Sequence, residues 1–338
     1  MKALHLDAVQ DVGISEVARP TVGAHDVRVR VRACGLCGSD LSVYLGQHPF
    51  RKAPVVLGHE VAGEVTEVGS GVDAVALGDR VAIEPQIACG RCAACTAGHG
   101  NVCANKGVVG VDFPGLLSEE VAVPDSIVYP LAGDIDWAIG AMAEPLAVAC
   151  RAVRAFGDCL GRRVAVLGVG AIGALVALLA RHGGATRLLV TDVRQPNLDA
   201  VAAATGATTI NVGGGSARDA GSALTDGQGF DAVFVAAGAP VVLRDAQALC
   251  RKGGMIVAIA LFAEPVPVDM DALVTGELTL RGSSMYTPDD FGAAVAFINS
   301  GALDVEALIS HRIGLDEAPA MVRDMVDGTD HLKVTVLL

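Results

Sequence analysis

Positive charge is scarce in this chain. Its 338 residues carry 25 Lys and Arg against 38 Asp and Glu, a formal net charge of −13 at pH 7, and no basic run occurs anywhere. A surface of that sign repels phosphate backbones, which excludes nucleic acid as a partner class. Aromatic residues are few, at 4%, and charged residues make up only 19% against 52% hydrophobic, which excludes a disordered chain. Spanning runs are also missing. The most apolar stretch, Val164–Ala180, holds seventeen residues and three glycines between Arg163 and Arg181. It is short for a membrane span and reads as a strand followed by a helix, so no membrane is expected as a partner. The N-terminus, MKALHLDAVQDVG, alternates like a strand and has neither an apolar core nor a cleavage site, so no signal peptide is expected. Repeats and low-complexity linkers are absent as well. Five scattered cysteines (Cys34, Cys37, Cys150, Cys159, Cys250) fit free thiols in a reducing compartment, and the expected location is the cytoplasm.

What is present is glycine, 41 residues of it, which suits an α/β chain built on tight turns and close backbone packing. The length implies two domains. Up to about residue 130 the pattern is short strands broken by Gly, Pro and Asp: Val27–Ala33 (VRVRVRA), Val61–Val68, Gly78–Ile83 and Ser118–Val123. From Trp137 the texture changes. A helical stretch over Ala141–Phe156 is followed by apolar strands (RVAVLGV, RLLVTDV, DAVFVAAG, MIVAIAL) separated by helical patterns, which predicts parallel βαβ units. The chain closes with a helix from Pro288, a loop, and a strand over Lys333–Leu338.

Four more cysteines cluster in CGRCAACTAGHGNVC: Cys89, Cys92, Cys95 and Cys103. Thiolates this crowded repel one another unless a cation neutralises them or they oxidise in pairs. The spacing matches a closed tetrathiolate zinc site, which organises a loop and performs no chemistry.

A second motif follows the strand RVAVL. Gly168-Val169-Gly170-Ala171-Ile172-Gly173 opens a helical run, the context in which GxGxxG binds a dinucleotide. The first glycine permits the turn, the second lets backbone approach a pyrophosphate, and the third lets helix pack on strand. Helix N-terminal N–H groups then face the phosphates. The next strand ends in Asp192, where a carboxylate accepts from ribose hydroxyls and repels a 2′-phosphate. NAD is therefore favoured over NADP, with Arg194 nearby pulling the other way.

Cys37 lies in CGSD, His59 and Glu60 in GHEVAGEV, and Glu144 in AEPLAV. Together they offer a thiolate, an imidazole and carboxylates from separate segments. Three such ligands, with a fourth position left open, are what a catalytic zinc requires. At these residues the chain resembles the zinc-dependent medium-chain alcohol and polyol dehydrogenases of the sorbitol, butanediol and threonine dehydrogenase type. The motifs CGSD, GHE, GDRV, the four-cysteine lobe, EPLAV and the glycine fingerprint follow in family order over essentially the whole length.

The resemblance implies an α/β chain: a GroES-like β-rich catalytic domain over 1–147 with its zinc lobe near 86–104. A Rossmann domain with a doubly wound parallel sheet would occupy 148–286, and a segment 287–338 would return to the catalytic domain. It implies two zinc ions per chain, with Cys37 and His59 on the catalytic one and Glu60 and Glu144 sharing the remaining protein position. Ser39 would bond the substrate hydroxyl, and Asp40 would orient the His59 ring. Ser42 stands where relatives often carry a relay histidine. It passes a proton without storing one, a feature similar to some aminocyclitol dehydrogenases; His48 is a candidate substitute that no motif places there. Tyr44, Phe50, Phe113 and Tyr286 are pocket-wall residues by family position, with core packing the alternative for each. The implied reaction is NAD-dependent oxidation of a secondary alcohol (polyol, vicinal diol, cyclitol or amino-polyol) to the ketone. A threonine-type substrate and a non-catalytic dinucleotide-binding role are the alternatives, and a homodimer or homotetramer is the expected assembly.

Overall fold

The VRVRVR run becomes the long strand Asp26–Leu36, in the middle of a seven-stranded sheet. Val27, Val29 and Val31 are buried and Arg30 is exposed, as alternation requires. Arg28 departs from the pattern. It is buried as well, because its guanidinium is taken up by Glu67 and by the carbonyl of Pro20 at 2.8 Å.

The computed structural model describes residues 1–326, 328 and 331–338. The chain divides into two units, one of Met1–Glu144, Thr287–Ala302 and Ile309–Leu338, the other of Pro145–Tyr286 and Leu303–Leu308. Leu303–Leu308 thus groups with the second unit, whereas the family pattern assigns all of 287–338 to the first.

In the first unit the sheet order is Val128–Pro130, Arg80–Ile83, Glu60–Val68, Asp26–Leu36, Val334–Leu337, His311–Gly314, with Glu120–Pro124 also paired to Asp26–Leu36. The final strand therefore lies directly against Asp26–Leu36, Val334 opposite Leu36. The strand expected from Gly78 begins only at Arg80. Gly78 has φ +87°, and Asp79 folds back to accept from the amide of Ala76 at 2.8 Å, so both residues belong to the preceding turn.

The second unit holds six parallel strands in the order Thr208–Asn211, Arg187–Asp192, Arg163–Leu167, Phe230–Val235, Cys250–Ala258, Thr279–Gly282. The earliest of them is central and the chain winds outward to either side, the doubly wound order whose ligand crevice lies where the winding reverses. Val164, Ala165 and Val166 are wholly buried, as is nearly all of Gly173–Ala180 in the helix Ala171–His182. The seventeen-residue apolar run is this strand, its turn and this helix. Among the described residues no helix is long and apolar enough to cross a membrane. The helix expected over Ala141–Phe156 is two helices, Trp137–Ala141, capped by Asp136, and Ala143–Phe156. A β-rich unit and an all-parallel doubly wound unit make up the expected α/β architecture.

Candidate functional site

Cys37 follows the strand Asp26–Leu36 and is the N-cap of the helix Gly38–Tyr44, whose third residue, Asp40, accepts from the Cys37 amide at 3.1 Å. His59 and Glu60 stand at the entry to the neighbouring strand Glu60–Val68, so strand pairing carries them to the same end of the sheet as Cys37. One donor atom from each of Cys37, His59 and Glu60 lies within 4.8 Å of the others. Glu144, in the first turn of the helix Ala143–Phe156, is buried but outside this group of three.

The His59 ring is held from both sides. Its Nε2 is 3.5 Å from Ser39 Oγ, and its Nδ1 is 3.5 Å from Asp40 Oδ1 and 3.4 Å from Arg51 Nη1. Asp40 is wholly buried and also accepts from the Gly58 amide (3.2 Å) and Arg51 Nη1 (3.3 Å). Burial pushes its pKa up, but His59, Arg51 and the Cys37 amide outweigh that and hold it well below the usual carboxylate range. Burial likewise pushes His59 down, and Asp40 with Cys37 outweighs it, so the imidazole pKa lies well above its ordinary value. A metal held by His59 would displace the added proton, with Asp40 beside the ring's other nitrogen. Asp40, expected to orient the ring, lies beside its Nδ1. Arg51 was not legible in the sequence, since nothing in HPFRKAP marks an arginine that turns inward.

Lys333 was also missed. Its ammonium pairs with Glu60 Oε2 and donates to the Leu36 carbonyl at 3.1 Å, with Glu60 1% and Lys333 3% exposed. Burial lowers the Lys333 pKa, but Glu60 and Cys37 outweigh it and raise it overall, so the side chain is charged.

Around Ser39 the relay residues are tied to backbone. Ser42 Oγ donates to the Gly38 carbonyl (3.1 Å), and His48 Nδ1 accepts from the amides of Phe50 (3.2 Å) and Arg51 (2.9 Å). Burial and then the Arg51 charge lower the His48 pKa, which keeps that ring neutral near pH 7. Tyr44 packs into the core of the first unit and Tyr286 is fully buried, whereas Phe50 is 74% exposed and Phe113 44%.

The four clustered sulfurs meet as expected. Cys92 Sγ lies 3.5 Å from Cys95 Sγ and 3.7 Å from Cys103 Sγ, and Cys89 and Cys95 are 4.0 Å apart. A tetrahedron with Zn–S of about 2.3 Å has sulfur–sulfur edges of about 3.8 Å, whereas a disulfide requires about 2.05 Å. The donor set fits a closed metal site. Backbone N–H groups aim at the sulfurs: the amides of Cys89 (3.5 Å) and Asn105 (3.3 Å) donate to Cys103, and the Arg91 amide, with Cys103, lowers the Cys89 pKa to about 6.

In the second unit the glycine turn also fits its ligand. Gly168 has φ +94° and a Cβ there would lie 2.8 Å from the Ala237 amide nitrogen. A Cβ on Gly173 would lie 1.9 Å from the Gly168 carbonyl, so helix and strand meet only without it. A Cβ on Gly170 would meet nothing within 4 Å, which leaves open space at the helix N-terminus where a pyrophosphate would sit. Ala171 and Ile172 begin the helix, and their amides belong to its first turn. Asp192 is engaged more than the sequence suggested: Oδ2 accepts from Val169 (2.7 Å), and Oδ1 from Val193 (2.8 Å) and Arg194 (2.9 Å). Those bonds fix the carboxylate beside the turn and leave it lone-pair capacity for a ribose hydroxyl. Arg194 is the exposed N-cap of the next helix.

Two family models match the chain, the alcohol dehydrogenase GroES-like domain over residues 23–133 and the zinc-binding dehydrogenase over 171–300. Among similar proteins, one assigned as a D-xylulose reductase in Agrobacterium fabrum is 37% identical, covering 95% of this chain and 94% of its own. An L-threonine 3-dehydrogenase of Anaeromyxobacter is 34% identical over 94% and 93%. A crystal structure from Sinorhizobium meliloti, described as a zinc-binding dehydrogenase bound to NADP, superposes with a TM-score of 0.94 at 32% identity, covering 100% and 99%. The second of these models is that of a zinc-binding dehydrogenase, and the Sinorhizobium meliloti structure carries NADP. By its two matched regions and these full-length relatives, the chain belongs to the GroES-like, zinc-binding alcohol dehydrogenase family.

Proposed function

We propose that this chain reversibly oxidises a secondary alcohol, carried on a polyol, vicinal diol, cyclitol or amino-polyol, to the ketone with NAD. The observation that carries this reading is the group of Cys37, His59 and Glu60 donors, with the Ser39 hydroxyl 3.5 Å from His59 Nε2. When bound, the metal supplies Lewis acidity toward the substrate hydroxyl and the nicotinamide accepts the hydride. Cys37 and His59 hold the metal, and Glu60 and Glu144 share the remaining protein position. Asp40 and Arg51 keep the imidazole in register. Ser39 Oγ accepts the hydroxyl proton and passes it outward; Ser42 has no ionisation near neutrality and serves as conduit rather than store. Carboxylate in place of a second thiolate makes the donor set harder and favours polyhydroxylated substrates.

Gly168, Gly170, Ala171, Ile172 and Gly173 hold the pyrophosphate, and Asp192 favours a ribose with both hydroxyls free, which supports NAD. Arg194 is the residue through which NADP would compete. The tetrathiolate at Cys89, Cys92, Cys95 and Cys103 holds the structural zinc. A threonine-type amino alcohol is the second reading, favoured by the relative named for that activity. The protein works in the cytoplasm as a homodimer or homotetramer.

Metal analysis together with a screen of diols, sugar alcohols, cyclitols and amino alcohols against NAD and NADP tests the proposal. Two zincs per chain and NADH formation with a polyhydroxylated alcohol are expected. Full turnover by zinc-free protein would sink the mechanism, and exclusive use of NADP would sink the cofactor preference.

A further inference from the structure

At the end of the parallel sheet opposite the glycine turn, arginines collect where the strands begin. Arg163 and Arg187 open two neighbouring strands and pair with each other in register. Neighbouring strands lie about 4.8 Å apart, and residues paired across them share a face. Two like charges therefore stand side by side, an arrangement that repels. Arg162 precedes Arg163 in the chain, and all three line a cavity of about 440 Å³.

The fold takes up only part of this charge. Asp231 is the shared carboxylate, and it is buried with both oxygens occupied. Its Oδ2 accepts from the Arg163 amide (2.8 Å) and faces Arg163 Nε (3.5 Å), while Oδ1 accepts from Arg251 Nε (2.7 Å). Arg162 comes no nearer to Oδ1 than 3.8 Å, beyond hydrogen-bond range. Arg163 Nη1 donates to Gln228 Oε1 (3.0 Å), a neutral acceptor, and Arg187 Nη1 to the Thr186 carbonyl (3.4 Å). Asp226 also lines the cavity; Asp158 borders Arg162 in an adjoining one, where it accepts from the Leu160 amide (2.9 Å). Four arginines thus gather around three carboxylates, in a chain whose net charge is −13. Among the described residues, neither Arg162 nor Arg187 hydrogen-bonds a carboxylate.

We propose that this cavity binds a phosphoryl dianion, as inorganic phosphate, pyrophosphate or the phosphate of a small metabolite, held by Arg162, Arg163 and Arg187. A guanidinium presents a planar fork of donors that matches two phosphate oxygens, and a dianion relieves the repulsion between the paired arginines. Among the described lining residues Leu224 is the one large apolar side chain and none is aromatic. That lining suits a compact hydrophilic ligand and offers no platform on which a base could stack. The site lies at the strand starts, whereas the dinucleotide crevice lies beyond the strand ends. Both can therefore be filled at once.

Calorimetric titration at fixed ionic strength tests this, with inorganic phosphate, pyrophosphate and glycerol 3-phosphate as the probes. The proteins are wild type, Arg162→Met, Arg187→Met and Asp226→Asn, each with and without saturating NADH. Wild type is expected to bind at least one probe saturably, one per chain, with the same Kd whether or not NADH is present. The probe held tightest distinguishes a free anion from a phosphate monoester. Each arginine variant should weaken binding at least about tenfold, and Arg187, being exposed, should be replaceable without loss of Tm. Asp226→Asn removes a repelling charge at a backbone position (φ +52°) that asparagine also adopts, and should tighten binding severalfold. Wild type that binds no probe saturably would overturn the proposal, as would an unchanged Kd in both arginine variants. Binding that NADH displaces would overturn it too, since the anion would then sit in the glycine turn.

Discussion

Asp40→Asn preserves the shape of the most heavily bonded side chain at the site and removes its charge. In the native structure Asp40 accepts from Cys37, Gly58 and Arg51 at 3.1–3.3 Å and faces His59 Nδ1 at 3.5 Å, with no solvent exposure. Two consequences follow. Arg51 is itself 5% exposed, and its Nε and Nη2 lack hydrogen-bond partners, so losing Asp40 leaves an uncompensated buried cation. Breaking a buried pair in this way costs about 3–5 kcal/mol. For a unit of this size that corresponds to a fall of roughly 6–20 °C in Tm. The imidazole also loses the acceptor that fixes its ring, and zinc affinity should fall about 10–100-fold. Thermal unfolding and chelator competition read the two effects separately. Arg51→Met provides the internal check, because the double variant Asp40→Asn/Arg51→Met no longer strands a cation and should be more stable than Asp40→Asn alone. An Asp40→Asn protein that unfolds within roughly 2 °C of wild type and holds zinc equally well would refute the assignment of Asp40 as the anchor of His59.

Two further outcomes are expected. Burial, opposed by bonds from Tyr129 and Gln86, raises the Glu84 pKa from 4.5 to about 7, so the folded protein takes up a proton that the unfolded chain releases. That contribution is present below about pH 4.5 and is lost as pH rises through 7, a span worth at most about 3 kcal/mol. Glu84→Gln should flatten the decline and stabilise the protein at alkaline pH; identical Tm-against-pH curves for the two proteins would contradict it. In the nucleotide turn, Gly173→Ala drives a Cβ to 1.9 Å from the Gly168 carbonyl, whereas Gly170→Ala meets nothing within 4 Å. The first should cost about 1–3 kcal/mol of stability or more as well as NADH affinity, and the second NADH affinity alone; equal Tm values for the two variants would count against the close helix–strand contact.

Much of the site was legible because its parts are short and contiguous. Four cysteines within CGRCAACTAGHGNVC cannot lie far apart, since a chain reaches only about 3.3–3.6 Å per residue, and the spacing alone implied the sulfur cage. GVGAIG after an apolar strand implied the turn, because each glycine answers a local steric demand that the structure then displays at Gly168 and Gly173. Cys37, His59 and Glu60 were legible as a donor set by their chemistry, and the family resemblance assigned their roles, since they come from two separate segments. Other features gave no local signal. Arg28 sits in an alternating strand yet is buried, because Glu67 and Pro20 receive it. The position of Asp192 at the end of its strand implies a ribose contact, and the structure adds three backbone amides that hold it beside the turn.

By itself, then, the sequence determined the two-part α/β plan, the sulfur cage and the glycine turn, all of which follow from spacing and periodicity within a few residues. Tertiary structure alone decided that Arg51 would turn inward to Asp40 and that Lys333, just before the last strand, would reach Glu60 across a gap left by Gly35. The reason is physical: a lysine or arginine is a surface residue by default, and only the pairing of distant strands creates the buried counter-charge that makes either one part of a site.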